Sequence, residues 1–194
     1  MKKIALATHN QGKIEEIKPR LTLLGYDVFT LDDFDVKPIE ETGRTFKENA
    51  LIKAKALRSV TNFMVLADDS GLEVDALNNR PGVYSSRYSA LGTDQANNEK
   101  LLKDMSDVLD RSATFKTVMV VIDEANKNHV FEAALHGYIH TALEGLDGFG
   151  YDPLFIPVGH NETLASLGLS VKQQISHRKK CLDKVLRFLE TYNQ

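Results

Sequence analysis

The sequence predicts an α/β protein built on an elongated mixed β-sheet flanked by helices. Two observations carry this. Short apolar runs bounded by turn residues, at 4–7, 26–31 and 63–67, read as buried strands, and the segments between them place apolar residues at helical spacing. Strand, helix, strand, helix, strand is the pattern of an α/β core. The chain then changes character, with two long β-rich runs at 114–123 and 130–140 joined by the polar segment 124–129. Those two runs predict a long hairpin.

The elements follow in order. Ile4, Ala5, Leu6 and Ala7 form the first strand, and Thr8-His9-Asn10-Gln11-Gly12-Lys13 a loop. Ile14, Ile17, Leu21 and Leu24 then recur on one helical face, which Gly25 closes as a C-terminal cap. The second strand carries the β-branched and aromatic residues of 26–31, and Asp32, Asp33 and Asp35 fall in a solvated loop. Thr45 heads a capping box with Glu48, and Phe46, Ala50, Leu51, Ala54 and Leu57 give the following helix its apolar face. The strand at 63–67 runs into Asp68-Asp69-Ser70-Gly71, which is good turn chemistry, and 72–76 alternates as a separate short strand. Asn78-Asn79-Arg80-Pro81-Gly82 is a turn, and 93–105 a helix with Leu101, Leu102 and Met105 inward. Residues 145–152 hold three glycines and form a loop. Ser176 caps a final helix whose buried side carries Cys181, Leu182, Val185, Leu186 and Leu189. No repeat or linker interrupts the chain, so residues 1–194 form one domain.

Composition excludes several classes. Hydrophobic residues make up 42% and charged residues 26%, with a net charge of −3 and no block of five like charges. That gives no footprint for nucleic acid or an anionic membrane, so an anionic ligand must be held by local positive groups. The single cysteine, Cys181, excludes an internal disulfide and a cysteine-based zinc cluster. It fits a reducing compartment. The four-residue apolar run near the N-terminus is too short for a signal peptide or a membrane span, and a cytoplasmic location is expected.

Five segments can carry chemistry. A strand, a glycine-bearing loop and a helix start make residues 8–13 an anion site, with Thr8 and Asn10 adding polar groups and Lys13 a charge. It is no Walker loop, lacking the second glycine and the Lys-Ser/Thr pair. Asp68 and Asp69 place paired negative charge at a strand end, which a divalent metal, a substrate that brings one, or a catalytic base role would account for if it is more than a turn. Glu40 and Glu41 precede a helix whose positive end alone accounts for them, or they join Asp69 if the fold allows. Gly148-Phe149-Gly150-Tyr151-Asp152-Pro153 offers a loop aromatic for a flat ligand, with Asp152 placed to fix its polar edge. Finally Lys172 and Ser176-His177-Arg178 put cations at a helix start, against the helix dipole, as a clamp for an oxygen-rich ligand would. The other histidines, including His136 and His140 four apart in a predicted strand, lack metal-ligand spacing.

Taken together, in order, these motifs resemble one family. Thr8-His9-Asn10-Gln11-Gly12-Lys13 matches its opening, and Glu41-Thr42-Gly43-Arg44-Thr45-Phe46-Lys47-Glu48-Asn49-Ala50 its second motif. Ala67-Asp68-Asp69-Ser70-Gly71-Leu72, continuing through Pro81-Gly82-Val83-Tyr84-Ser85-Ser86-Arg87-Tyr88, matches its centre. Gly148-Phe149-Gly150-Tyr151-Asp152-Pro153 and Ser176-His177-Arg178 complete it. The chain resembles the inosine/xanthosine triphosphate pyrophosphatases. His9 stands where glycine is frequent, Asn79 replaces a glycine before Pro81, and Val171-Lys172-Gln173-Gln174 is a loose version of the family's Glu-Lys-Asn segment.

The resemblance implies hydrolysis of dITP, ITP or XTP to the monophosphate and pyrophosphate, with Mg2+, by a homodimer whose nucleotide cleft lies between two lobes. It implies that Thr8, His9, Asn10, Gln11, Gly12 and Lys13 hold the triphosphate and that Asp69 accepts the proton beside the metal. Glu41, with Glu40, supports that metal, and Asp68 lies next to it. Ser70 touches substrate, while Phe149, Gly150, Tyr151, Asp152, Lys172, His177 and Arg178 bind base and phosphates. Rival readings are a related pyrophosphatase of the septum-inhibitor type acting on dTTP, UTP or modified nucleotides, and a non-catalytic nucleotide sensor. A phosphomonoesterase working through an aspartyl phosphate is a third, but the rest of its signature is missing.

Overall fold

The computed structural model describes residues 2–192. In chain order the elements are β1 (Lys2–Leu6), α1 (Gln11–Leu23), β2 (Tyr26–Thr30), α2 (Phe46–Arg58), β3 (Met64–Val74), β4 (Arg80–Pro81), α3 (Asp94–Asp104), β5 (Ser112–Ile122), β6 (Asn128–Ile139), β7 (Phe155–Pro157), α4 (Leu164–Ile175) and α5 (His177–Tyr192). Among the described residues the strands pair in the order β2-β1-β3-β5-β6-β7, with β4 beside β3. The sheet is mixed: β1 is parallel to β2 and β3, whereas β4 is antiparallel to β3 and β7 to β6. Among the described residues no helix is long and apolar enough to cross a membrane.

The chain divides into two compact units, one of Met1–Asp69, Thr117–Ala133 and Lys179–Gln194, the other of Ser70–Lys116 and Ala134–Arg178. In the first unit, strand alternation sorts β1 and β3 into two apolar layers. Ile4, Leu6, Met64 and Leu66 pack with Ile17 and Leu21 of α1 and with Cys181, Leu182, Val185 and Leu189 of α5. Ala5, Ala7, Val65 and Ala67 pack instead with Ala50, Ala54 and Leu57 of α2. Successive strand residues point to opposite faces, so the small residues meet α2 and the large ones meet α1 and α5. Burial pushes the Cys181 thiol up to about 12, so it is inert packing as its apolar helix face predicts.

The second unit has its own core, in which Leu72, Val74, Leu101, Met105, Phe115, Leu154 and Phe155 are joined by Tyr151 and Leu164. Phe115 and Phe155 pack with their rings tilted, 4.5 Å between centroids. Gly137 of β6 is there because nothing larger fits: a Cβ would stand 2.3 Å from the Ile156 carbonyl and 2.6 Å from the Phe155 ring.

Two expectations are corrected. The Ser70-Gly71 pair is not a turn, and 72–76 is not a separate strand, because β3 runs unbroken from Met64 to Val74. Burial decides it: Leu72 and Val74 are both fully enclosed, and Glu73 and Val74 pair with Pro81 and Arg80 of β4. The helix α4 and the short strand β7 were not legible in the sequence, since Gly168 at φ +81° breaks the helical run. Elsewhere the elements fall close to expectation. Thr93 caps α3 through the Ala96 N–H, Thr45 caps α2 through the Glu48 N–H, and the Glu48 carboxylate takes the Arg44 N–H.

A polar staple joins residues 82–88 to α3. The Tyr88 hydroxyl donates to Asp104 at 2.6 Å, and Lys100 donates to the same carboxylate at 2.7 Å while lying 4.5 Å from the centre of the Tyr88 ring. Burial, with the Asp104 carboxylate, pushes the Tyr88 phenol up to about 12 from its ordinary value of 10. Because folding raises this pKa, Tyr88 contributes stability that is fully present below pH 10 and is lost as the pH climbs towards 12. The melting-temperature difference between the native protein and Tyr88→Phe should therefore shrink across that interval. A difference that stays constant from neutral pH upward would contradict it.

Candidate active site

The residues predicted to carry chemistry fall into one group in each unit. In the first, β1 leads into the loop before α1, and the loop is shaped by its own side chains. Asn10 is the N-cap, its Oδ1 accepting the Lys13 N–H at 3.1 Å, and the Thr8 hydroxyl accepts the Asn10 N–H at 3.1 Å. Gln11 and Gly12 open the helix, so their N–H groups belong to the positive end of α1. The exposed His9 ring lies 2.6 Å from Asp32, and Gln11 donates to Glu15. Lys13 is held by Asp68, Nζ to Oδ2 at 2.8 Å.

That last contact separates the two aspartates. Asp68 follows Met64 and Leu66 on the face of β3 that meets α1 and α5, whereas Asp69 follows Val65 and Ala67 on the face that meets α2. Both are buried, at 3% and 7% exposure. Asp69 accepts from Asn49 Nδ2 at 3.2 Å and from Lys53 Nζ at 3.3 Å, and Lys53 also donates to Glu41 at 2.8 Å. Glu41 therefore shares an ammonium with Asp69, and Glu40 is exposed. Asp68 stands on the opposite face from that pair.

Burial pushes the Asp69 carboxyl above the ordinary carboxylate range, Lys53 pulls against that, and the Glu41 charge reinforces it. Burial alone would lower the Lys53 ammonium, but the carboxylates of Asp69, Asp68 and Glu41 outweigh it and hold the lysine above its ordinary value. Asn49 and Lys53 stand four apart on α2, beside the apolar Ala50 and Ala54. The sequence reading missed them as site residues. Polar residues at i and i+4 next to an apolar stripe were the available signal.

Among the described residues no group of three or more His, Cys, Asp or Glu side chains is arranged to hold a metal ion. The donor set still fits Mg2+, which binds through one or two carboxylates together with substrate phosphates rather than in an all-protein cage. Glu41 and Asp69, hard oxygen donors gathered on one lysine, are such a pair.

The second group is built on 148–152 and the junction of α4 with α5. Gly148 is in the left-handed conformation at φ +85°, and a Cβ there would stand 2.1 Å from Asp152 Oδ2. Asp152 turns inward: it accepts the Phe149 N–H at 2.9 Å and Lys172 Nζ at 2.6 Å, and is 2% exposed. Burial raises the Asp152 carboxyl, and the Lys172 ammonium works against that. The Tyr151 hydroxyl donates to the Ser85 carbonyl, so this ring anchors the loop. Phe149 is half-buried, with Lys172 Nζ 4.0 Å and the Arg178 guanidinium 5.4 Å from the centre of its ring. Arg178 donates to Ser70 Oγ at 3.1 Å, and His177 stacks on Phe115 at 4.8 Å, an aromatic support the sequence did not reveal.

A buried ion pair costs much to break and little to replace whole. Asp152→Ala should lower stability by about 3–5 kcal/mol in urea unfolding, and the double substitution Asp152→Ala with Lys172→Met should recover much of that loss. Equal instability of the single and double variants would contradict the pairing.

The Ham1 family model matches residues 4–188. A dITP/XTP pyrophosphatase of Oceanobacillus iheyensis is 44% identical over 196 residues, covering 98% of this chain and 100% of that protein. The dITP/XTP pyrophosphatase of Bacillus subtilis is 43% identical, covering 98% of each. Among solved structures, a HAM1 protein from Coxiella burnetii superimposes with a TM-score of 0.92 at 38% identity, and the Staphylococcus aureus Ham1 protein with 0.88 at 41%, each covering 98% of this chain and 100% of the other. The fold, the ordered motifs and these matches have one reading: the chain belongs to the Ham1 family.

Proposed function

We propose that this protein hydrolyses non-standard purine nucleoside triphosphates, dITP, ITP and XTP, to the monophosphate and pyrophosphate, removing deaminated purines from the nucleotide pool. The observation that carries the reading is Asp69: a buried carboxylate with a raised pKa, oriented by Asn49 and Lys53 and sharing that lysine with Glu41. A carboxylate fixed in place by Asn49 and Lys53 is suited to accept a proton from an attacking water. Lys53 holds its orientation and limits the rise in its pKa.

Glu41 and Asp69 would hold Mg2+, which when bound neutralises phosphate charge as it builds in the transition state. The loop at 8–13 receives the phosphates: the start of α1 offers N–H groups, and Lys13, fixed by Asp68, offers a placed charge. This reading gives Asp68 the role of positioning Lys13. Phe149 stacks the base, while Lys172, His177 and Arg178 supply the polar recognition around it. Hypoxanthine and xanthine present an acceptor oxygen at the six position where adenine carries an amino group. Donors facing that position are left unpaired by adenine, which is rejected accordingly. The resemblance also supports a homodimer, and the single buried cysteine is consistent with the cytoplasm.

The test is turnover of ITP, dITP and XTP against ATP and dTTP. The deaminated purines should be hydrolysed preferentially. Asp69→Asn should reduce turnover by about 10²–10⁴-fold with its urea midpoint near that of the native protein. Near-native turnover by this variant would remove Asp69 from the proton-acceptor role, and no turnover of any nucleotide by the native protein would favour a sensor.

A further inference from the structure

Helix α3 buries two carboxamides that core packing does not require, Asn97 and Asn98, beside the exposed Asp94. Asp94, Asn97 and Asn98 stand at i, i+3 and i+4 and so share one side of the helix. Asn97 and Asn98 are 2% and 3% exposed. Burying carboxamides is costly unless their atoms find partners, and here the partners are loop backbone groups. Asn97 donates to the Ser86 carbonyl at 3.2 Å and accepts the Ser89 N–H at 2.7 Å. Asn98 Nδ2 donates to the Gly150 carbonyl at 2.8 Å, and the Asp94 carboxylate accepts the Gly150 N–H at 2.7 Å.

Gly150 is thus gripped at both ends of its backbone, in the left-handed conformation at φ +62°. It directly follows Phe149, which is half-buried where Tyr151 of the same loop is buried, and Asp152 fixes the Phe149 N–H from the other side. Asn98 Oδ1 is buried with no hydrogen-bond partner among the described residues. An apolar residue would avoid that cost, so it is the bond to Gly150 that the carboxamide serves.

We propose that Asp94 and Asn98 form a clamp on Gly150 that sets where the Phe149 ring stands, and that this clamp determines base selectivity. Both act through Gly150 as positioning residues, and the proposal rests on the base-stacking role given to Phe149 above. The clamp acts on binding of the base and leaves the proton transfer at Asp69 alone. Its loss should therefore appear in KM and in the choice of base, with kcat little changed.

The experiment compares Asp94→Ala, Asn98→Ala and Asp94→Asn with the native protein, using ITP and ATP and recording thermal unfolding alongside. The two alanine variants should raise KM for ITP about tenfold with kcat within about twofold, and lower the ITP-over-ATP ratio of kcat/KM. Asp94→Asn, whose amide oxygen can still accept the Gly150 N–H, should bring KM back towards the native value. Alanine variants that lose thermal stability and kcat while keeping native KM and native base preference would overturn the clamp and leave a structural role. If the native protein turns over neither ITP nor XTP, the reading of the site fails and this proposal with it. Native turnover together with unchanged KM in both alanine variants overturns the clamp alone.

Discussion

Two adjacent carboxylates buried in the middle of a β-strand set the terms for the first unit. Buried charge there asks for compensation, and the strand's twofold alternation turns the two side chains to opposite faces, so that each makes its direct ion pair with a different lysine. Each face therefore supplies its own lysine: Lys13 from α1 for Asp68, and Lys53 from α2 for Asp69. The placement of both helices follows the same alternation, since the layers that hold α1 and α2 are the alternate residues of β1 and β3. One pattern in the chain thus sorts the core and the charges together.

The second unit uses a different combination, a half-buried aromatic ring beside buried charges. Asp152 and Lys172 are both almost wholly enclosed, and Arg178 is 3% exposed. Such a group contributes little to net stability compared with an apolar core of the same volume. Its value lies in fixing geometry: Asp152 shapes the loop through the Phe149 N–H, and Lys172 and Arg178 are aligned with the ring. Lys172 is held by Asp152 and Arg178 by the Ser70 hydroxyl, so neither cation depends on solvent for its place.

How much of this was legible in the sequence depended on the range of the interactions involved. The strands at 4–7 and 63–67, the capped helix α2 and the long hairpin were readable because period and caps are local. The motifs were readable too, because each is a run of neighbouring residues, whereas the contacts that Asp69, Glu41, Phe149 and Arg178 make were not. The continuation of β3 was not, because Ser70-Gly71 is good turn chemistry in isolation and only the enclosure of Leu72 and Val74 shows otherwise. The pairing of Asp68 with Asp69 likewise dissolved once they proved to lie within one strand and not at its exit. Lys53 and Asn49 escaped because a lysine on a helix reads as a solvated charge until its carboxylates are placed in space. Asn97 and Asn98 escaped for the same reason, as a polar helix face reads as solvent-facing.

The most direct measurement is the identity of the phosphorus products formed from ITP, followed by 31P NMR with Mg2+ and again with the ion chelated. A buried Asp69 acting with Glu41 on a metal-bound triphosphate predicts IMP and pyrophosphate in stoichiometric amounts, and no reaction once Mg2+ is removed. Release of orthophosphate, or pyrophosphate formed at an undiminished rate under chelation, would contradict it.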